Sequence, residues 1–184
     1  MAFVDLARNQ LILKVVLAGP PAVGKTTRLL QLASSSELVE YGSQSTGETQ
    51  MAALQIDRPD GQRTVVVETY EWHGHERADV RGKAIFTGLD GVIYLADARE
   101  DRYIDTKSTY DYLSKTMGRT RINRLPGLLL MGQRDEGLLR LGSFSSVFSR
   151  GPTWSQKLQI PINDAESFKE SVLLFAEAML ARNV

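Results

Sequence analysis

An eight-residue stretch constrains this chain more than any other feature of its sequence. Residues Gly19 to Thr26 read Gly-Pro-Pro-Ala-Val-Gly-Lys-Thr, which fits the pattern G-x-x-x-x-G-K-[ST]. An apolar run, Leu11–Ala18, precedes the pattern, and a segment with helical spacing, Thr27–Ala33, follows it. A loop of this kind surrounds phosphate groups when it joins a strand to a helix. The sequence therefore predicts a binding site for a nucleoside triphosphate.

The chemistry expected of this loop gives particular residues particular roles. Backbone N–H groups and the start of the following helix hold the phosphates, although Pro20 and Pro21 contribute none because proline has no N–H. Lys25 is predicted to reach the β- and γ-phosphate oxygens, and the Thr26 hydroxyl to ligate Mg²⁺. The other predicted nucleotide contacts of the loop are Gly19, Ala22, Val23, Gly24 and Thr27. The alternative is a glycine turn with an exposed lysine, which the flanking strand and helix disfavour.

Composition limits the class of protein. The 184 residues include 22 basic and 22 acidic side chains. This balance gives no net positive potential that would attract nucleic acid or an anionic membrane. The chain has no cysteine, which excludes disulfides, thiolate metal sites and cysteine-linked lipids. Ala2 excludes N-myristoylation, and every apolar run is far shorter than the ~20 residues that span a bilayer. We expect one cytoplasmic domain, residues 1–184, without a direct membrane anchor.

Hydrophobic patterning predicts an α/β fold of the P-loop NTPase type. Strands and helices alternate along the chain, and one proline- and glycine-containing turn joins two strands as an antiparallel hairpin. This order predicts a mainly parallel central sheet with one antiparallel edge strand and helices on both faces. The predicted strands are Leu11–Ala18, Met51–Asp57, Arg63–Tyr70, Gly91–Ala96, Leu128–Met131 and Leu158–Ile160, and the predicted helices are Thr27–Ala33, Glu76–Thr87, Asp105–Met117 and Phe168–Ala181.

Three stretches show no clear periodicity. Residues 1–10 are interpreted as an N-terminal extension of the domain. Ser34–Thr49 is polar and is predicted to be a loop. Residues 136–156 are rich in glycine and serine and are predicted to form an irregular insertion with at most a short helix. The sequence suggests no function for this insertion.

The ends of two predicted strands offer further nucleotide contacts. Gly74 follows the strand Arg63–Tyr70, and a glycine there lets a backbone N–H approach a γ-phosphate, although a simple turn glycine is the alternative. Asp135 follows the strand Leu128–Met131. Its carboxylate can accept two hydrogen bonds from the N1 and N2 donors of guanine, a pair that adenine lacks. Asp135 is therefore predicted to select GTP over ATP.

With these motifs the chain resembles the Ras-like small GTPases, and among them it is most similar to the bacterial MglA-type polarity GTPases. The resemblance extends from Lys14 to about Leu180 and rests on Gly19–Thr27, Gly74, Leu89–Asp97, Gln133–Asp135 and a threonine ahead of the hairpin. It implies a GTP/GDP switch that uses Mg²⁺ and hydrolyses GTP slowly without a partner. It also implies a Roadblock-type activator or scaffold, and effectors in bacterial motility or polarity.

The resemblance implies roles for residues outside the phosphate loop. Thr49 matches the first switch threonine, which ligates Mg²⁺ and senses the γ-phosphate, with Thr46 as the alternative. His75 matches the position that orients the attacking water, which makes it the catalytic candidate beside Lys25. Packing or solvent exposure of His75 stays open, and a metal site shared with His73 is disfavoured because two histidines alone lack a third ligand.

The base is expected to be held by two loops. The first is Gln133, Arg134 and Asp135, and in the second a backbone N–H of Ile162 or Asn163 contacts guanine. The assignments of Gln133 and Arg134 and of the second loop come from the resemblance.

The chain also departs from the family pattern. The usual Asn-Lys-x-Asp reads Gln133-Arg134-Asp135, and Glu71 stands in place of the aspartate that precedes the switch glycine. Glu48 occupies the place where MglA-type proteins carry an arginine, so no arginine finger can be identified from sequence. These departures keep a second interpretation open, a GTP-binding scaffold or pseudo-GTPase with little or no hydrolysis. An ATP-using kinase or ATPase is disfavoured because no arginine-rich lid is evident.

Overall fold

The computed structural model describes residues 2–33, 39–41, 49–56, 63–73, 85–133, 141–144 and 146–182. The described residues form an α/β fold in which all strands belong to one sheet. The strands are β1 (Phe3–Asp5), β2 (Gln10–Ala18), β3 (Val39–Tyr41), β4 (Thr49–Ile56), β5 (Thr64–Glu71), β6 (Gly91–Asp97), β7 (Pro126–Gln133) and β8 (Thr153–Pro161), and the α-helices are α1 (Lys25–Leu32), α2 (Tyr103–Met117), α3 (Arg119–Ile122) and α4 (Ala165–Arg182).

The sheet is mainly parallel, as predicted. Its strands lie in the order β3-β4-β5-β2-β6-β7-β8, and β5, β2, β6, β7 and β8 are parallel to one another. The prediction of a single antiparallel edge strand was wrong, because β1, β3 and β4 all make antiparallel pairs. The strand β3 lies outside β4, and its three residues are too few to show a strand pattern within a polar segment.

The parallel strands bring their carboxyl ends to one edge of the sheet. Register places Leu17 beside Glu71 and Ala18 beside Tyr94, and Gln133 lies beside Pro161 at the far end of the sheet. The segments that follow β2, β5, β6 and β8 therefore emerge along the same edge. This is where ligands bind in open parallel sheets.

Helices cover both faces of the sheet, as predicted, because successive strand residues point to opposite sides. Leu13, Val15 and Leu17 pack in one buried cluster with residues of α1 and α4, including Leu29 and Phe175. The alternate residues of the same strand, such as Val16, pack in a second cluster with side chains of α2. Burying each large aliphatic or aromatic side chain contributes about 1.5–3 kcal/mol, so the two clusters hold the sheet edge in place.

Several element bounds differ from the predictions. Residues 136–156 are not irregular throughout, because Thr153–Gln156 belongs to β8, and two 3₁₀ turns, Leu141–Phe144 and Val147–Ser149, lie before it. The N-terminal extension contains β1, which pairs with the start of β2. Most of the predicted helix Glu76–Thr87 lies outside the described residues. Among the described helices, none has the length and apolar character needed to cross a bilayer.

Candidate functional site

The loop between β2 and α1 has a backbone that few other sequences could adopt. Ala22 and Gly24 have positive φ angles of 59° and 97°, and Gly24 caps the start of α1. A side-chain carbon at Gly19 would lie only 2.5 Å from the carbonyl oxygen of Leu95 in β6. The first glycine of the motif therefore packs the loop against the neighbouring strand, and the second supplies the left-handed turn into the helix.

Lys25 is buried inside this loop. Its ammonium donates hydrogen bonds to the carbonyl oxygens of Gly19 and Pro20, at 3.1 and 3.0 Å, and the residue is only 6% exposed. Burial lowers the pKa of Lys25, and the nearby carboxylate of Glu71 opposes that shift. The loop thus curls around a cation that its own carbonyl groups hold.

Thr26 and Glu71 form a hydroxyl and carboxylate pair beside Lys25. The Thr26 Oγ1 donates to Glu71, with distances of 3.1 and 3.0 Å to its two carboxylate oxygens, and Glu71 is 2% exposed. His73 Nδ1 lies 3.5 Å from Glu71 Oε1. Hard oxygen donors of this kind suit Mg²⁺, which takes one or two protein ligands and completes its shell with phosphates and water. The donor set fits Mg²⁺, although the described residues contain no cluster of three or more His, Asp or Glu.

A carboxylate and two arginines lie at the end of β6. Arg99 Nη2 pairs with Asp97 Oδ2 at 2.7 Å, and Arg102 Nε lies 3.9 Å from the same oxygen. Burial would raise the pKa of Asp97, but the hydrogen bonds from Arg99 and the charges of both arginines outweigh it and leave the pKa below its usual value. The Arg102 Nη2 also donates to the carbonyl oxygen of Pro21 at 3.0 Å. This cluster therefore contacts the loop between β2 and α1 from the side of β6.

The first turns of α1 are tied to the turn that follows β8. Arg28 is 1% exposed and donates to the carbonyl oxygens of Ile160, Pro161 and Asp164 at 2.8–3.2 Å. Gln31 Nε2 donates to the carbonyl oxygen of Ile162 at 2.9 Å. The loop predicted to hold phosphate and the turn predicted to contact the base are thereby linked through α1.

The structure brings many of the predicted site residues together. The loop and the start of α1 contain Gly19, Ala22, Val23, Gly24, Lys25, Thr26 and Thr27, and the turn after β8 contains Ile162 and Asn163. The backbone of Thr49 begins β4, and the backbone of Gln133 ends β7. The predictions for Thr46, Gly74, His75, Arg134 and Asp135, and for the side chains of Thr49 and Gln133, lie outside the described residues.

Sequence reasoning missed four participants at this edge. Glu71 was interpreted as a departure from a family pattern, whereas it contacts Thr26 directly. Asp97 was noted only as the end of a family-like segment, Arg102 gave no local signal of a site, and the backbone partners of Arg28 lie more than 130 residues away in the chain. Only the position of Asp97 at the end of a buried strand could have indicated it.

No protein-family model matches the chain, and no curated protein sequence matches it. Function is therefore inferred from the site itself.

Proposed function

We propose that the chain is a small GTP-binding protein of the P-loop NTPase fold, which switches between GTP and GDP forms and hydrolyses GTP slowly without a partner. One observation carries the proposal. The Lys25 ammonium is buried against the carbonyl groups of Gly19 and Pro20, next to the Thr26 and Glu71 pair. A cation, a hydroxyl of the kind that ligates Mg²⁺ and the start of a helix thus lie together, and this combination is suited to holding a polyphosphate.

The topology of the sheet supports this proposal. The chain leaves β2 through the candidate loop, and β2 lies between β5 and β6, which come from later parts of the chain. Crevices of this kind, where connections diverge from a central parallel strand, are the usual ligand sites of open α/β sheets.

In the proposed site each residue has a defined task. Lys25 holds the β- and γ-phosphate oxygens, and the backbone N–H groups from Ala22 to Thr27 surround the phosphates. Thr26, with Glu71 beside it, would hold Mg²⁺, which supplies neutralising charge when bound. Thr49 would be the second metal ligand, and Gly74 would sense the γ-phosphate.

Hydrolysis in this proposal needs no covalent intermediate. His75 orients a water molecule whose oxygen bonds to the γ-phosphorus as the bond from that phosphorus to the bridging oxygen breaks. The products are GDP, inorganic phosphate and one proton released to solvent. The MglA-type resemblance adds a cytoplasmic location and a Roadblock-type regulator, which would accelerate this step.

The base contacts are proposed to select guanine. Asp135 accepts from guanine N1 and N2, Gln133 and Arg134 flank it, and Ile162 or Asn163 offers a backbone N–H. Calorimetric competition between GTP and ATP in Mg²⁺ tests the proposal. We expect GTP to bind at least about tenfold more tightly, with Asp135→Asn abolishing the preference. Absence of binding by either triphosphate would refute the proposed function.

One observation favours a second candidate, a GTP-binding scaffold with little hydrolysis. The hydroxyl of Thr26 already donates to the carboxylate of Glu71, an arrangement that holds the loop through a protein contact. Single-turnover hydrolysis separates the two candidates. A switch enzyme should lose at least about tenfold in rate on His75→Ala, whereas a scaffold should keep its GTP for hours with or without that histidine.

A further inference from the structure

The first half of the phosphate loop is unusual because it presents acceptors rather than donors. Pro20 and Pro21 have no backbone N–H, so two positions that could face a phosphate offer only carbonyl oxygens. Three successive carbonyl groups in this stretch accept hydrogen bonds from cations. Lys25 occupies those of Gly19 and Pro20, and Arg102 occupies that of Pro21.

Arg102 reaches this position from a different part of the fold. It ends the 3₁₀ turn Glu100–Arg102 and directly precedes α2. Asp105 anchors its Nη1 at 2.9 Å, and Asp97 lies 3.9 Å from its Nε. The side chain of Arg102 is 27% exposed. The guanidinium is therefore mostly buried among these carboxylates, and one side of it faces the loop between β2 and α1.

The guanidinium of Arg102 keeps an unused donor. Its Nε is buried and has no hydrogen-bond partner within the described part of the chain. A buried donor without a partner costs free energy unless a ligand supplies an acceptor. The Nη2 atom, in turn, is bonded to a neutral carbonyl oxygen, which a phosphate oxygen would outcompete because it carries charge.

We propose that Arg102 is a phosphate-binding residue of the nucleotide site, and that it exchanges the carbonyl oxygen of Pro21 for an oxygen of the terminal phosphate. This inference rests on the proposed nucleotide site and extends it. Arg102 supplies hydrogen-bond donors in place of the two backbone N–H groups that the prolines lack, and it adds a positive charge. Lys25 makes the corresponding exchange from the carbonyl groups of Gly19 and Pro20.

Arg99 provides a matched control for this role. It lies three residues away and pairs with the same carboxylate of Asp97, but its described hydrogen bonds go to Asp97 alone. Both arginines therefore contribute similar charge to the cluster. Only Arg102 contacts the loop in the described structure.

The experiment measures the affinities of the full chain for a non-hydrolysable GTP analogue and for GDP, by calorimetry in Mg²⁺. Arg102→Ala should weaken binding of the analogue about tenfold and that of GDP less than about twofold, because only the analogue has the terminal phosphate. Arg99→Ala should leave both affinities within about twofold. This change in the ratio of the two affinities would not follow from a merely structural role.

Three results would overturn the inference. Equal losses of affinity for both nucleotides on Arg102→Ala would show that Arg102 only stabilises the loop. No loss of affinity would show that Arg102 does not contact the nucleotide. An equal effect of Arg99→Ala would show that any positive charge in the cluster suffices. If Arg102→Ala fails to fold by circular dichroism, Arg102→Lys replaces it and should still weaken the analogue selectively, by several-fold. Failure of the unaltered chain to bind either nucleotide would instead refute the proposed function, and the inference with it.

Discussion

Two buried cations on the same helix differ in how the fold uses them. Lys25 is 6% exposed and Arg28 is 1% exposed, and they lie three residues apart on α1. Arg28 donates to three backbone carbonyl groups and to Gln31 Oε1, and its guanidinium lies 4.8 Å from the ring centre of Phe168. Among the described residues, the Lys25 ammonium donates to the loop that precedes it. Burial is similar for the two cations, but Arg28 joins distant segments of the chain, whereas Lys25 bonds within its own loop, as expected of the ligand contact proposed above.

The largest expected effect is on stability, at Arg28. Arg28→Met should lower the free energy of unfolding by about 3 kcal/mol, because buried carbonyl oxygens of Ile160 and Pro161 lose their donors. Urea unfolding followed by circular dichroism measures this loss. Lys25→Met is the matched control and should cost less, about 1 kcal/mol, because the bonds of Lys25 lie within one loop, whereas those of Arg28 join distant segments of the chain. Equal losses at the two positions would remove the distinction between them.

The second prediction reverses the comparison by measuring ligand affinity. Lys25→Met should weaken binding of a GTP analogue about a hundredfold, because its charge-assisted bonds to the phosphates are lost. Calorimetry at a temperature where both variants are folded is the measurement. Arg28→Met should change this affinity by less than about fivefold under the same conditions. A larger effect at Arg28 than at Lys25 would contradict the assignment of roles.

Thr26, which lies between the two cations on α1, tests the metal part of the site. Thr26→Ala should reduce by about tenfold the gain in nucleotide affinity that Mg²⁺ provides, because one oxygen ligand is removed. Titrations with and without Mg²⁺ give this gain. Thr26→Ser keeps the hydroxyl and should retain most of it. A Mg²⁺ effect unchanged in Thr26→Ala would argue against a metal site at this hydroxyl.

The smallest expected effect extends the comparison to a buried carboxylate. The pKa of Asp97 lies below its usual value in the folded chain, so the unfolded chain binds the extra proton first as the pH falls. Stability from Asp97 is therefore complete above about pH 5 and is lost as the pH falls through the folded-state pKa. Asp97→Asn should make unfolding less sensitive to acid below pH ~5, by about 1 kcal/mol or less. An unchanged acid dependence would show that Asp97 gains nothing from its arginines.

Local pattern explains which parts of the fold were predictable. The strand β2 and the helix α1 were expected within two residues of their observed bounds, because a continuous apolar run and helical spacing are strong local signals. The strand β3 was missed because three residues cannot establish a period. The start of β8 was missed because it follows a stretch rich in glycine and serine, and because its residues 153–159 are all at least partly exposed and include no continuous apolar run.

The site was predictable only where it is contiguous in sequence. The loop from Gly19 to Thr26 carries its own signature, which predicted its position between a strand and a helix, where the structure has it. Glu71, Arg102 and the turn at Ile162 approach that loop through strand register and helix packing. No local pattern encodes those approaches, because each depends on residues that are distant in the chain.

The bonds from Arg28 and Gln31 to the turn after β8 have a consequence for the size of ligand that the chain accepts. They fasten the helix that begins at the phosphate loop to the segment that would meet the base, so the interval between these two contact points is a fixed dimension of the protein. In the proposed site, this fixed distance selects ligands by length. A ligand with the right base but a phosphate chain of the wrong length would contact either the turn at Ile162 or the loop Gly19–Thr26, but not both.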